Sequence, residues 1–528
     1  MKVSSFIIDF LKLNCIDIIF GYPGYSSLPL YNAFQNDNLL KHVLVRHEES
    51  SIHAAHGYIK STDKPCVCIA SKGPGSTNLV TGIATAWADS IPVFAITCNI
   101  SEAYYGKRDF QDVDIVNIVK PITKFTYHIH NKQEIPEIFN IAFETAWTNR
   151  QGPVLIDIPV NILSAEINLY NSPLKKIEFT QSRLKANDRA LIKKSFHLLK
   201  ASKKPLLIVG NGGRKHVKII RELINILQIP VIHTVSGTGI INSNDPLYGG
   251  LLHSNSNSNA INLLQEADLL IALGTTLDSK CIKYPSRCSF KLIHVDIDEF
   301  ELNKNIKAAI PVKADIKKFI QYFLTLLPDA KVIKISTFGW LKKSKKNNSS
   351  KSKNEKLKQR DIISFISKLR QDFIIVSGSG SHKYNIIDNF CFRNPEQFIV
   401  SARFGCMGFS LPASIGVAFG NKKRIIVMTG DGDIQMTIQE LASIKEYCHN
   451  IKIIILNNRM LGLTKKYQLH QYGKKGIFET DFKLDLNFNA IAQAYGIKAF
   501  TIRLKNDIKL LSKLNDMGLA LFDCRVND

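Results

Sequence analysis

The 528-residue sequence lacks several features that mark whole classes of protein. No apolar run approaches the ~18 residues that a membrane-spanning helix needs. None of the ten cysteines forms a C-x-x-C pair or another paired metal-ligand spacing, which argues against zinc modules. Residues 1–24 carry Asp9 and Lys12 within their apolar stretch and lack a cleavage site, so they predict an amphipathic helix and a strand instead of a signal peptide. We therefore expect a soluble protein of the cytoplasm, a reducing compartment.

Acidic residues are scarce relative to basic ones, since 69 Lys and Arg against 45 Asp and Glu leave a net charge of +24. The excess is mostly lysine spread along the chain, without a basic stripe interleaved with aromatic residues and without a nucleic-acid motif. The charge therefore does not predict nucleic-acid binding. The chain is too long for one hydrophobic core and predicts about three domains.

Short apolar strands alternate with helical stretches in three blocks, a pattern that predicts α/β domains with parallel sheets covered on both faces. The blocks span 1–170, 188–328 and 359–528. Residues 342–358 are basic and of low complexity, which predicts a linker on the surface. The strands we predict are 16–20, 43–45, 66–70, 93–97, 154–158, 205–209, 231–234, 269–273, 292–296, 373–376, 424–428 and 451–456.

Two polar motifs follow neighbouring strands of the third block. Gly430-Asp431-Gly432 follows one strand, and Asn457-Asn458 follows the next. The intervening stretch leaves room for a crossover helix, predicted over 436–448, so both motifs should meet at the carboxyl edge of one sheet. Aspartate and asparagine oxygens suit Mg²⁺, and glycines let a diphosphate approach the backbone. The same residue types also occur in ordinary turns.

The first block repeats this geometry. Strand 43–45 runs into Arg46-His47-Glu48 and a helix predicted over 50–60, so Glu48 lies at the carboxyl end of a strand. A simpler interpretation is that carboxylates are favoured in the first turn of a helix. Strand 66–70 is followed by Gly73-Pro74-Gly75, a glycine-rich turn that is weak evidence by itself.

Taken together and in this order, these motifs resemble the thiamine-diphosphate-dependent enzymes of the acetolactate synthase type. The resemblance covers nearly the whole chain and is closest at 79–97, 109–124, 152–159 and 404–418 and in the final block. It implies three doubly wound parallel-sheet α/β domains, namely a pyrimidine-binding, a central and a diphosphate-binding domain. It also implies a homodimer or tetramer with active sites at the subunit interface, and it leaves open a regulatory subunit.

The resemblance implies roles for individual residues. Glu48 would hydrogen-bond the aminopyrimidine ring of a cofactor held by the other subunit, and so promote loss of the proton from C2 of the thiazolium. Met407 would be the apolar wedge that bends the cofactor. The Mg²⁺ ligands would be Asp431, Asn458 and the backbone carbonyl of Met460. The remaining matches are Gly24, Gly378, Ser379, His382, Gly430, Gly432 and Leu461 for cofactor binding, and Phe110, Gln111 and Lys124 as residues that line the catalytic site.

Three positions depart from the synthases of branched-chain amino-acid synthesis. Tyr467 replaces a tryptophan that shapes the acceptor pocket, and Tyr25 replaces the second glycine of a turn near the site. Lys280 replaces an arginine implicated in binding the acceptor carboxylate, and lysine lacks the bidentate fork of arginine. We therefore expect decarboxylation of a 2-oxo acid, pyruvate first, with transfer of the acyl unit to a carbonyl acceptor that stays open.

Four alternatives remain: a simple 2-oxo acid decarboxylase, a carboligase with a specialised acceptor such as a keto-sugar, an acyl-transfer or lyase specialist, and a non-catalytic homologue. The third block's first loop lacks adjacent histidines, which counts against the usual decarboxylase pattern. FAD also stays open, because residues 275–279 depart from the flavin-binding pattern where an arginine-containing stretch is usual. The residues that fit that pattern are Gly210, Gly212, Gly237, Gly239 and Asp296.

Overall fold

The structure is a computed structural model that describes residues 1–35, 37, 39–168, 176–177, 184–253, 259–283, 289–327, 356–369 and 373–527. Within these residues the strands form three six-stranded sheets, and neighbouring strands pair in parallel. Helices connect the strands, which confirms the predicted class of three parallel α/β units. In this described part of the chain no helix is long and apolar enough to cross a membrane.

At the centre of the first sheet, residues 94–99 and 154–159 form two strands in which every residue is buried, as expected for strands covered on both faces. Its strands are β1 (Ile18–Gly21), β2 (Lys41–Leu44), β3 (Val67–Ser71), β4 (Phe94–Asn99), β5 (Phe125–His128) and β6 (Val154–Pro159). The accompanying helices are α1 (Val3–Leu13), α2 (Leu28–Gln35), α3 (Glu48–Thr62), α4 (Pro74–Thr77), α5 (Val80–Asp89), α6 (Ile115–Val119), α7 (Ile135–Trp147) and α8 (Val160–Leu163). The strand order is β2-β1-β3-β4-β6-β5.

The central sheet has the strand order of dinucleotide-binding folds. Its strands are β7 (Pro205–Val209), β8 (Val231–His233), β9 (Tyr248–Leu251), β10 (Leu269–Leu273), β11 (Lys291–Asp296) and β12 (Ile310–Lys313). Its helices are α9 (Ala186–Ala201), α10 (Val217–Leu227), α11 (Asn259–Glu266) and α12 (Ile316–Leu324). The order β12-β11-β10-β7-β8-β9 equals 3-2-1-4-5-6 read from the other edge.

The third sheet repeats the order of the first. Its strands are β13 (Phe373–Ser377), β14 (Phe398–Val400), β15 (Arg424–Gly430), β16 (Ile451–Asn457), β17 (Lys498–Ile502) and β18 (Ala520–Arg525). Its helices are α13 (Gln359–Lys368), α14 (Ser381–Asn389), α15 (Ser410–Gly420), α16 (Asp431–Gln435), α17 (Leu441–Tyr447), α18 (Gly462–Tyr472) and α19 (Phe488–Ala494). The order β14-β13-β15-β16-β18-β17 matches the similar layout of the first and third blocks.

Two predictions for the third block need correction or comment. The crossover helix predicted over 436–448 is present as a 3-10 turn, Ile438–Glu440, that continues into α17. The short helix α16 before it was not predicted, and the two are separated at Thr437, whose hydroxyl donates to the Gly408 carbonyl at 2.8 Å. Most of the predicted linker, 342–355, lies outside the described residues. At its end Leu357 is buried in the core of the third sheet.

Helices α3 and α15 join the first and third sheets at close range. A Cβ atom on Gly57 would lie 2.0 Å from the Ala413 carbonyl oxygen, and one on Gly416 would lie 1.8 Å from the Ala54 carbonyl oxygen. These glycines let the two backbones touch, so one continuous hydrophobic core spans both units.

Candidate active site

Ligand-binding crevices are expected at one position in each outer sheet. The chain order reverses between β1 and β3 in the first sheet, and between β13 and β15 in the third. Open α/β sheets bind ligands at such switch points, outside the carboxyl ends of the strands. The glycine-rich turns and acidic residues singled out from the sequence follow these strands.

Glu48 lies at the first of these crevices. It is the first residue of α3, and its Oε2 atom accepts a hydrogen bond of 2.9 Å from the Asn78 side chain. A Cβ atom on Gly75 would lie 3.2 Å from Glu48 Oε1, so the carboxylate rests over the glycine-rich turn that follows β3. The start of a helix stabilises a carboxylate, and half-burial keeps one edge of it accessible.

The turn after β1 meets the same crevice. Gly24 packs so tightly that a Cβ atom there would lie 2.5 Å from the Ser71 side chain. Gln111 packs on Gly73, whose φ of +59° requires glycine, and Lys72 donates to the Phe110 carbonyl at 3.4 Å. The structure therefore brings Gly24, Gln111 and the backbone of Phe110 to the turns next to Glu48.

Lys124 directly precedes β5, and its side chain reaches the carboxyl end of α7. Its ammonium donates to the carbonyls of Thr145 and Thr148, the second at 2.7 Å. Burial lowers the pKa of Lys124 to about 8, and the nearby positive charge of Arg150 acts in the same direction. These contacts make it a helix-end cap in the single chain, and its place in the catalytic site stays a prediction.

Asp431 and Asn458 lie at the crevice of the third sheet. Asp431 is buried at the start of α16, and its Oδ2 atom has no hydrogen-bond partner among the described residues. Burial raises the pKa of Asp431 to about 6, although the backbone N–H groups of Asn458 and Arg459 lower it in part. A buried carboxylate oxygen without a partner, beside an amide oxygen, suits a hard cation.

Met460 shapes the turn that presents Asn458. Its backbone N–H donates to Asn458 Oδ1 at 3.3 Å, and Met460 itself pairs with Asp481 in an isolated bridge. A Cβ atom on Gly462 would lie 2.9 Å from Asn458 Nδ2, so the start of α18 closes on the same side chain. This turn could supply the carbonyl ligand expected from Met460.

Asp433 organises the crevice, and the sequence reasoning missed it. Its carboxylate accepts hydrogen bonds from the backbone N–H of Ser379 and Gly408 and from the hydroxyls of Ser410 and Thr429, at 2.6–3.2 Å. A Cβ atom on Gly378 would lie 2.0 Å from Asp433 Oδ2. This one side chain therefore ties the turns after β13 and β15 together. Its only sequence signal is a second acid two residues after Asp431.

His382 faces the same space from α14. It is buried, its Nε2 atom lacks a partner within the described chain, and burial lowers its pKa to about 4. The ring lies near Gly380 and Gly430, where added Cβ atoms would approach it within 2.9 Å and 3.7 Å. A neutral imidazole between two glycine turns can donate a hydrogen bond to a phosphate oxygen.

Met407 and Leu461 converge on Gly432. A Cβ atom on Gly432 would lie 3.5 Å from Met407 Cε and 3.1 Å from Leu461 Cδ2. Two apolar side chains thus stand directly above the turn that carries Asp431. The structure brings together all of the residues predicted for the diphosphate side of the site.

Comparisons with known proteins agree with this geometry. Three thiamine pyrophosphate (thiamine diphosphate) enzyme profiles match: the N-terminal TPP binding domain at residues 1–118, the central domain at 192–323 and the C-terminal TPP binding domain at 378–518. The chain belongs to the thiamine pyrophosphate enzymes. The acetolactate synthase large subunit of Lactococcus lactis subsp. lactis (strain IL1403) is 34% identical over 525 residues, which cover 97% of this chain and 90% of that protein.

Two further relatives carry the same name. The acetolactate synthase large subunit of Cyanidium caldarium is 34% identical over 551 residues, covering 100% of this chain and 93% of that protein. The acetolactate synthase isozyme 1 large subunit of Escherichia coli (strain K12) is 33% identical over 533 residues, covering 99% and 94%. The acetolactate synthase-type resemblance is confirmed, so the chain is a thiamine-dependent enzyme of the carboligase type.

A large cleft in this thiamine pyrophosphate enzyme connects the central sheet to the third. Its volume is about 1220 Å³. Gly212, Gly274 and Asp296 line one part of it, and Ser379 and Tyr467 line another. Burial raises the pKa of Asp296, at the end of β11, to about 6.

The two substitutions expected in the acceptor pocket meet in this cleft. The ammonium of Lys280 lies 5.7 Å from the centre of the Tyr467 ring, a cation–π contact between the central and third units. The departures from the related synthases at these positions therefore form one local change.

Proposed function

We propose that the enzyme uses thiamine diphosphate and Mg²⁺ to decarboxylate a 2-oxo acid, pyruvate first, and transfers the acyl unit to a carbonyl acceptor. The observation that carries this proposal is the unpartnered oxygen of buried Asp431 beside Asn458, beneath Met407 and Leu461. The residues present fit the charged and apolar parts of the cofactor at adjoining positions. The names of the relatives support acetolactate synthesis as the first candidate reaction.

Each residue has a distinct task in this proposal. When bound, thiamine diphosphate supplies a carbon nucleophile and accepts the electrons left by loss of CO₂. Asp431, Asn458 and the Met460 carbonyl would hold Mg²⁺, and neutral His382 would donate to the diphosphate. Glu48 would hold a proton against the pyrimidine ring at a half-buried position that excludes most water.

The active unit in this proposal is a homodimer or a tetramer built from such dimers. Glu48 makes its described contacts within the first unit, whereas the metal and diphosphate groups belong to the third. Large apolar side chains near both half-sites are more than half exposed in the single chain, which suits a surface covered by a partner subunit. They are Tyr25, Phe110, Phe404 and Met436.

We further propose a small regulatory subunit and a cytoplasmic location. The relatives are named large subunits, which supports a smaller partner. The cysteines in the described part of the chain are all free thiols, and this suits a reducing compartment.

FAD is the proposed occupant of the central part of the cleft. The 3-2-1-4-5-6 strand order and the acidic Asp296 at the end of β11 support a dinucleotide, because such folds place a carboxylate near the ribose hydroxyls. The expected result is flavin fluorescence in the supernatant after the purified protein is denatured. A flavin-free supernatant from protein purified with added FAD would contradict the assignment.

The reaction itself is tested by NMR analysis of products from labelled pyruvate with thiamine diphosphate and Mg²⁺. Acetolactate is the expected product when pyruvate is also the acceptor. CO₂ release that needs a second carbonyl compound would assign a specialised acceptor, such as a keto-sugar, to the pocket of Lys280 and Tyr467. Acetaldehyde alone would indicate a simple decarboxylase, and no turnover of any 2-oxo acid would overturn the proposal. The Asp431→Ala variant is the matched background control.

A further inference from the structure

A cluster of histidine and carboxylate side chains lies at the opposite edge of the first sheet from Glu48. Glu102 is in the loop after β4, His128 ends the edge strand β5, and His130 follows two residues later. Four strands separate β5 from β2, which leads to Glu48. The proposed thiamine chemistry uses none of these three side chains.

Glu102 bridges the two imidazole rings. Its Oε2 atom lies 2.8 Å from His128 Nε2, and its Oε1 atom lies 2.8 Å from His130 Nδ1. One ligand atom from each of the three residues lies within 4.8 Å of the others. Two imidazole nitrogens and a carboxylate oxygen this close together are the ligand set of three-ligand zinc sites.

Asp157 fixes the orientation of the His128 ring. It is buried in β6 and accepts hydrogen bonds from the Thr97 hydroxyl at 2.5 Å and the Asn99 amide at 2.6 Å. His128 Nδ1 lies 2.6 Å from Asp157 Oδ2, and the carboxylate can only accept, so Nδ1 carries the hydrogen. Once Nε2 has lost its proton, His128 presents a lone pair on Nε2 toward Glu102.

This arrangement needs a positive species between His128 and Glu102. Both Nε2 of neutral His128 and the ionised carboxylate are acceptors, so at 2.8 Å a proton lies between them in the metal-free chain, and a cation can take the place of that proton. The arrangement carboxylate–histidine–metal, in which the outer carboxylate holds the ring, is the common way in which proteins orient a metal-binding histidine.

We propose that Glu102, His128 and His130 bind a divalent transition-metal ion of the zinc type, with Asp157 as the residue that orients His128. His130 is exposed and Glu102 is half-buried, so the ion can enter from solvent and water can complete its coordination. Zinc requires ligand atoms at roughly 2.0–2.2 Å, so the side chains of Glu102 and His130 would rotate toward the ion on binding. Imidazole ligands select zinc over the Mg²⁺ proposed for the third unit.

The bound ion would tie the loop after β4 to strand β5. Tyr105, in the same loop, already stacks on His128 with ring centres 3.9 Å apart. The loop continues to Phe110 and Gln111, which pack beside the glycine turns of the Glu48 crevice. Metal binding at the sheet edge is therefore expected to stabilise the segment that leads to the active site.

Titration of the full-length, chelator-treated protein with Co²⁺ in the presence of excess Mg²⁺ tests the site. One equivalent of Co²⁺ is expected to give the intense visible absorption of a four-coordinate ion, which Zn²⁺ then removes by displacement. An octahedral ion at Asp431 and Asn458 absorbs only weakly, so the signal separates the two sites. Absence of the intense band would overturn the proposal.

Variants assign the signal to residues. His130→Ala and Glu102→Gln should each lower Co²⁺ affinity by at least ~10-fold, since even groups that only orient a metal ligand contribute ~10- to 100-fold. His197→Ala, which removes an exposed histidine of α9, should bind as the wild type does. Zn²⁺ should also raise the thermal unfolding temperature of the wild type and the control but not of His130→Ala. Equal affinity in all variants would contradict the assignment.

Discussion

Replacing Glu48 with glutamine is expected to slow exchange of the C2 proton of bound thiamine diphosphate by about 10²- to 10⁴-fold, the usual contribution of a positioned acid–base group. Glutamine keeps the size and the hydrogen bond with Asn78 but cannot take up or release the proton. Cofactor affinity should change little, because the groups for metal and diphosphate lie in the third unit. Quenched deuterium exchange followed by NMR measures the rate, and calorimetry measures the affinity.

The neighbouring carboxylate provides the control. Glu49 follows Glu48 in α3 but contacts His53 at 3.1 Å instead of the glycine turn, so Glu49→Gln should exchange at a rate close to that of the wild type. Unchanged exchange in Glu48→Gln, or equal loss in both variants, would refute the role given to Glu48.

Replacing Asp431 with alanine is expected to weaken Mg²⁺ and thiamine diphosphate together by at least ~100-fold, because the diphosphate is held largely through the ion. Calorimetric titration of cofactor at fixed Mg²⁺, and of Mg²⁺ at fixed cofactor, measures both affinities. Retained cofactor affinity in this variant would place the metal elsewhere.

The wild type should also show a pH dependence that the variant lacks. Burial holds the pKa of Asp431 at about 6, and only the ionised carboxylate binds the cation. Mg²⁺ affinity should therefore be constant above pH 6 and fall about tenfold for each pH unit below it, as the proton competes for the same oxygen. The comparison variant for this measurement is Asp431→Ala, in which this dependence should disappear.

Mixing the two inactive variants tests whether the sites are shared between chains. If Glu48 serves the partner's cofactor, a mixed dimer of Glu48→Gln and Asp431→Ala chains contains one site with both changes and one intact site. Activity should then appear on mixing and subunit exchange. If each chain builds its own site, no intact site can form and the mixture stays inactive.

The sequence predicted the strands inside the sheets, except β18, and missed five of the six edge strands. Strands β7 and β10 have the predicted bounds, because fully buried strands read as continuous apolar runs. The strands without a predicted counterpart are β5, β9, β12, β14, β17 and β18, and all of them except β18 lie at sheet edges. There β9 contains two glycines and β12 a proline, residues that edge positions tolerate and that weaken any strand signal.

The residues of the candidate site could also be predicted only in part from the sequence. The ends of β2, β13 and β15 could be predicted to meet ligands because topology alone places them at carboxyl edges. The four hydrogen bonds of Asp433 and the carbonyl contacts of Lys124 depend on residues far apart in the chain. No local pattern encodes such contacts, and a second acid after Asp431 looks like any residue in the first turn of a helix.

The glycine contact between α3 and α15 has a mechanical consequence. Helix α3 begins with Glu48, and α15 begins three residues after Met407. Because backbone touches backbone at Gly57 and Gly416, no side chain can rearrange to absorb a sliding motion. This contact is therefore expected to make Glu48 and Met407, which have proposed roles in different half-sites, move together as one rigid body. In a dimer with shared sites, a displacement at one cofactor would then be transmitted through the contact between α3 and α15 to the second cofactor.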